Sequence, residues 1–324
     1  MNLLERYILR MAFGAFMGTL LALTAAALGV PMAGWASCGS AFCTVNTSQD
    51  VQGVGSDAGT LRLDLRYEYI RQDRLRSGTH NISADQDTGE VTELQTINRN
   101  WIATLDYAFD AHWAVSVALP LVERKHSHIA DPSGAATFEQ WDFSRLSDAR
   151  VIGRYQFARD EHAGHAGLQF GLKLPTGDYR VANADGAVAE RALQPGTGST
   201  DLILGAYYSR PAGLHGLGWF AQGSYQRVVE TRDGFRPGDQ VSVTGGLTYP
   251  ITEHLALLGQ LNALHKGRDT GPNAEPDLSG GNFVYASPGV SVAVDRNVQL
   301  YGFLQFPLYR NVNGIQLTAE RAVV

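Results

Sequence analysis

Cysteine, positive charge and long apolar stretches are all scarce in this chain, and each shortage excludes a class of protein. Only two cysteines, Cys38 and Cys43, occur among 324 residues, too few for a disulfide scaffold or a thiolate metal cluster. Lysine and arginine number 26 against 32 aspartates and glutamates, a net charge of −6. That balance offers no concentrated basic surface for nucleic acid. No second run of 18 apolar residues follows Val30, and the mean hydropathy of −0.14 is too low for a bundle of membrane helices. The Gly-x-Ser-x-Gly elbow of the α/β-hydrolases is also missing.

What is present begins with an export signal. Arg6 and Arg10 precede an uncharged apolar run from Met11 to Val30 that ends near Gly34-Trp35-Ala36. Basic, apolar and small segments in that order mark a secretory signal over residues 1–36. The alternatives are an uncleaved anchor, for which the run is long enough, and a lipidated Cys38, against which Trp35 stands where a branched aliphatic residue is wanted. Segment 37–58 then carries Cys38 and Cys43, read as a small disulfide loop in an oxidising compartment.

From residue 59 to 324 the chain alternates. In Leu61-Arg-Leu-Asp-Leu-Arg-Tyr-Glu-Tyr69 every odd position is apolar and every even one charged, which places the two sets on opposite faces of a strand. Twelve such segments recur, near 61–71, 95–109, 113–125, 148–157, 166–175, 200–210, 217–229, 239–249, 255–267, 283–294, 298–309 and 315–324. Tight links such as Asp110-Ala-His112, Thr252-Glu-His254 and Asp295-Arg-Asn297 alternate with long polar ones at 72–94, 126–147, 176–199, 230–238 and 268–282. Ten-residue strands with short turns at one rim and long loops at the other predict an all-β fold, an up-and-down transmembrane barrel of about twelve strands. Closure is required because lipid offers no hydrogen-bond partner to an open sheet edge.

Aromatic residues sort to the two rims. Tyr107, Phe109, Trp113, Phe157, Trp219 and Tyr249 lie beside the short turns, and Tyr67, Tyr69, Phe283, Tyr285, Phe306 and Tyr309 beside the loops, as two interfacial belts would require. With the apolar set in lipid, the other set lines the lumen: Arg62, Asp64, Arg66, Glu68, Asp106, Arg150, Arg154 and Lys173 are the charged candidates. Pro120, Pro175 and Pro307 interrupt three outward-running strands at similar height. They are expected at bulges or at the ends of pairing, where a missing N–H is tolerated.

Lys173-Leu-Pro-Thr-Gly-Asp178 followed by Gln194-Pro-Gly-Thr-Gly-Ser-Thr-Asp201 resembles the outer-membrane barrel family named for the meta-pathway of phenol degradation. The paired motifs bracket one long loop, and a looser resemblance extends over residues 59–324. It implies a transporter-like barrel in the outer membrane of a Gram-negative cell, sometimes found beside pathways for aromatic compounds. No catalytic residue comes with it. The chain departs from such barrels at Ala322-Val323-Val324, where a terminal aromatic is usual.

Physically, Pro175, Thr176, Gly177 and Asp178, with Pro195, Gly196, Gly198 and Asp201, are turn chemistry. They either only shape the third outer loop or let it fold inward and narrow a pore. The leading functional expectation is a channel for small solutes, aromatic or apolar ones included. The alternatives are a closed structural or interaction barrel and an outer-membrane lipid hydrolase. For the hydrolase only His126-Ser127-His128 offers a nucleophile and base, and these histidines read as solvated loop residues rather than metal ligands. Outer-membrane lipids, the assembly machinery and an unidentified solute are the expected partners, with no nucleic acid, cofactor or metal.

Overall fold

The computed structural model describes residues 58–87, 91–130, 136–157, 164–212 and 216–324. The expected signal at 1–36, Cys38 with Cys43, and the rest of the N-terminal segment to residue 57 lie outside them. Thirteen strands are present among the described residues. They are β1 (Leu61–Gly78), β2 (His80–Asn81), β3 (Val91–Ala108), β4 (Trp113–Ala130), β5 (Thr137–Leu146), β6 (Ala149–Gln156), β7 (His165–Leu174), β8 (Ser199–Arg210), β9 (Gly218–Thr231), β10 (Gln240–Pro250), β11 (Leu255–Lys266), β12 (Gly281–Ala293) and β13 (Gln299–Val323).

Eleven of these form one antiparallel ring in chain order, and pairing of β13 with β1 closes it. Two strands stand outside. β2 adds to the end of β1, and β5 pairs the outer half of β4. The count of about twelve differs because the segments near 298–309 and 315–324 belong to one strand, β13. That strand doubles back: Phe303 and Val324 exchange both backbone hydrogen bonds, at 2.7 and 3.0 Å, and Gly314 takes φ +62 between the two passes. The first pass pairs β12 and the second pairs Tyr69–Ser77 of β1.

The ring is apolar outside and polar inside. Leu61 (63%), Leu63 (62%) and Leu65 (69%) are exposed, whereas Asn98 and Asn262 (0% each) are buried. A water-soluble sandwich would reverse that order. Bonds between strands satisfy the backbone, and an apolar outer face of this kind is suited to lipid. Tyr107 with Phe109 (5.0 Å), Trp113 with Tyr155 (4.8 Å) and Tyr208 with Trp219 (4.9 Å) make ring contacts beside the short turns. The loop-side belt is thinner than expected, because Phe283 turns inward, packs on Leu264 and Val312, and is 4% exposed.

Three tight turns share one chemistry. The Asp110 carboxylate accepts from the N–H groups of His112 and Trp113 at 2.7 and 2.8 Å, Asp295 from Asn297 and Val298 at 2.6 and 2.8 Å, and the Thr252 hydroxyl from His254 and Leu255 at 3.2 and 3.0 Å. Those two donors hold the Asp110 carboxyl below its ordinary value. The prolines sit where pairing changes. At Pro120 the partner of β4 switches from β6 to β5, Pro175 follows the end of β7, and Pro307 adjoins a register shift between β12 and β13.

Candidate functional site

The inner face of the ring presents cross-strand rows of polar side chains. In the half near the short turns, a cavity of about 640 Å³ is lined by Arg62, Asp64, Arg66, Asp106, Arg150 and Arg154 together with Thr104, Gln169, Gln222 and Tyr301. Several of these groups are paired. Arg154 reaches Asp106 at 3.2 Å, Arg66 reaches Glu68 at 3.2 Å, and the Tyr301 hydroxyl donates to Asp64 at 2.9 Å. Glu68 is buried above them and also accepts from Asn100 at 3.0 Å. The charged lining of the cavity comprises five arginines against three aspartates once Arg296 and Asp295 of the turn before β13 are included. Tyr207 with Phe220, and Leu258 with Phe303, also turn inward and bury each other, so the inner face is less uniformly polar than alternation alone suggests.

Lys173 occupies a different place from the other charged candidates. It lies in the row Ala118, Arg150, Lys173, Asp201 across β4, β6, β7 and β8. Its ammonium is buried between Asp148 (3.3 Å) and Asp201 (3.1 Å), and it also donates to Ser199 at 3.0 Å and to Thr197. Asp148 stands in no motif that marks it as part of this site. It sits at the break between β5 and β6, which are successive pieces of one inward-running path along β4. Its carboxylate accepts from the N–H of Gly177 at 3.1 Å and from the N–H and hydroxyl of Thr197 at 2.9 and 2.6 Å. One aspartate therefore ties the two loop motifs together.

The motif glycines explain themselves at this junction. A Cβ on Gly177 would stand 2.9 Å from the Gly196 Cα, and one on Gly196 would stand 2.4 Å from the Gly177 carbonyl oxygen. The two backbones touch, and Gly196 N–H donates to Asp178 O at 2.7 Å. Thr176 receives the Ala149 N–H at 2.8 Å, and the Pro195 carbonyl accepts from the Ser147 hydroxyl at 2.6 Å. Gly198 takes φ +65, and Asp201 accepts from Ser199 at 2.6 Å and from Gln226 at 2.5 Å.

From this clasp the loop runs inward. Leu193 is fully buried against Trp141 and Phe143 of β5, and its carbonyl accepts from Arg124 of β4 at 2.6 Å. Trp141 donates to Ala187 O at 2.9 Å. On the opposite side Arg180 pairs with Asp233 at 3.0 Å, and the Arg191 guanidinium stacks over Phe235 at 4.9 Å. The loop thus bridges the β4–β5 wall and the β9–β10 connection. β5 itself lies within a link read from sequence as a polar loop. Burial pushes the Glu190 carboxyl well above the ordinary carboxylate range, and Glu275 and Glu139 add to that effect by repulsion.

His126 and His128 are not on a loop. Both are buried on the inner face of β4, at 0% and 4% exposure. Ser127 between them alternates to the other face, so it cannot meet either imidazole as a nucleophile meets its base.

Neither a family model nor a curated protein matches the chain. Among solved structures, its fold is similar to that of an outer membrane channel from Pseudomonas putida F1, with a TM-score of 0.62 at 15% identity over 85% of this chain and 95% of that one.

Proposed function

We propose that this protein is an exported outer-membrane channel for small solutes in a Gram-negative envelope. The observation that carries the reading is the inverted barrel: apolar side chains outside, and a charged cavity of about 640 Å³ inside, next to the short-turn rim. The signal at residues 1–36 supports export, and the fold neighbour's own description as an outer membrane channel supports the class. The Lys173–Asp178 and Gln194–Asp201 motifs support kinship with the phenol-pathway family, and with it an aromatic solute. The excess of arginine in the cavity favours anions, so small aromatic carboxylates satisfy both indications.

Purified protein in planar bilayers tests this. Discrete conductance steps are expected, with a reversal potential under a salt gradient that favours chloride over potassium. Absence of steps at any voltage would remove the channel reading, and cation preference would remove the anionic solute while leaving the channel. Deleting residues 182–188 from the tip of the inward loop should raise the unitary conductance if that loop narrows the path.

A further inference from the structure

The outer half of the barrel wall carries a second constellation that takes no part in the arginine-lined cavity. Across β3, β4 and β5 two rows of inward side chains stand in register, Thr96 with His126 and Trp141, and Glu93 with His128 and Glu139. The second row depends on an irregularity in β3 between Glu93 and Gln95. Strict alternation from Thr96 would turn position 94 inward, and the extra residue brings Glu93 there instead. Bulges re-aim side chains in this way and recur beside functional sites.

Second partners fix the imidazole orientations. His126 Nδ1 lies 2.8 Å from the Thr96 hydroxyl, and His128 Nε2 lies 3.3 Å from the Glu139 carboxylate. With a proton on each of those nitrogens, His126 Nε2 and His128 Nδ1 both present lone pairs to the space between them. They are 3.3 Å apart, and Glu93 Oε2 is 3.4 Å from His126 Nε2. One ligand atom from each of Glu93, His126 and His128 lies within 4.8 Å of the other two. Ligands at about 2.0–2.1 Å from a tetrahedral zinc are separated by about 3.3 Å, so two edges of such a polyhedron are already formed. The carboxylate on the outer nitrogen of His128 is the arrangement that orients a metal-bound imidazole and raises its basicity.

We propose that Glu93 Oε2, His126 Nε2 and His128 Nδ1 form a binding site for one divalent first-row transition cation of the zinc type, leaving a fourth position for water. Glu139 and Thr96 act as positioning residues. Arg124, inward on β4 toward the same region, is held by Asn98 at 2.6 Å and by the Leu193 carbonyl. A bound cation cross-links β3 to β4, the wall on which the inward loop rests. A Thr-His-Glu hydrolytic triad is the competing reading of the same atoms, but Thr96 is 0% exposed and out of reach of a substrate.

Because the site is closed, the full chain should be refolded into detergent with one cation supplied, then dialysed against a weak chelator. Refolding with zinc is expected to retain one equivalent per barrel, and refolding with cobalt(II) to give the intense visible absorption of a tetrahedral centre. His126→Gln and Glu93→Gln should each lower retention at least tenfold while keeping the heat-modifiable gel shift of a closed barrel. His265→Gln, at an exposed histidine, should change nothing. Retention below one tenth of an equivalent in the unsubstituted protein, or equal retention in His126→Gln, would overturn the site. If a substituted chain fails to fold, the cobalt spectrum of the unsubstituted barrel decides alone: octahedral, weakly absorbing cobalt counts against the proposal.

Discussion

At the scale of single residues, close backbone approach decides what each position tolerates. Gly177 and Gly196 are needed because their main chains touch, with a Cβ on either falling inside contact distance of the other strand of the loop. Gly177→Ala is expected to destabilise the barrel by about 1–3 kcal/mol through forced displacement at this junction. Gly259→Ala, where an added Cβ meets nothing within 4 Å, should stay within about 0.5 kcal/mol. Denaturant unfolding in detergent distinguishes the two, and equal midpoints would refute the junction's role. Turn chemistry at these positions is legible in the sequence as Thr-Gly-Asp and Pro-Gly-Thr-Gly. That the two turns clasp each other through Asp148 is not, because Asp148 lies 29 positions before Gly177 and only the β5–β6 break brings it there.

At the scale of elements, the packing of the inward loop is linked to the protonation of one of its own carboxyls. Its packed conformation places Glu190 near Glu139 of β5 and Glu275 of the β11–β12 connection, and its carboxyl is raised in consequence. A raised carboxyl binds its proton more tightly in the packed state, so packing is favoured at low pH. It weakens as pH climbs from the ordinary carboxylate value of about 4.3 through the raised one. Conductance is therefore expected to increase with pH over that range, and Glu190→Gln should hold the low-pH level throughout. A pH response unchanged by the substitution would assign the effect to another group. β5 is hidden in the sequence. Its Trp141 and Phe143 alternate correctly for a strand, but they face a loop rather than lipid, and the long polar link on either side masks the pattern.

At the scale of the whole molecule, an inverted ring has its own test. Leu261, outward in the middle of β11 and 57% exposed, should cost about 2–4 kcal/mol when changed to arginine in a lipid bilayer. Reversible unfolding in phospholipid vesicles measures it. A cost near zero would mean that this face meets water. Period-2 alternation by itself located most of the ring strands, their general outward and inward faces, and the short and long rims, because each follows from local backbone geometry and from lipid's inability to bond to peptide groups. Alternation does not say which inward residues meet across the lumen. Tertiary structure alone decided the burial of Lys173 between two aspartates, the inward turn of Phe283, the doubling back of β13, and the convergence of Glu93 with His126 and His128. Those outcomes depend on inter-strand register, bulges and loop closure, which join residues tens of positions apart and leave no periodic trace in the chain.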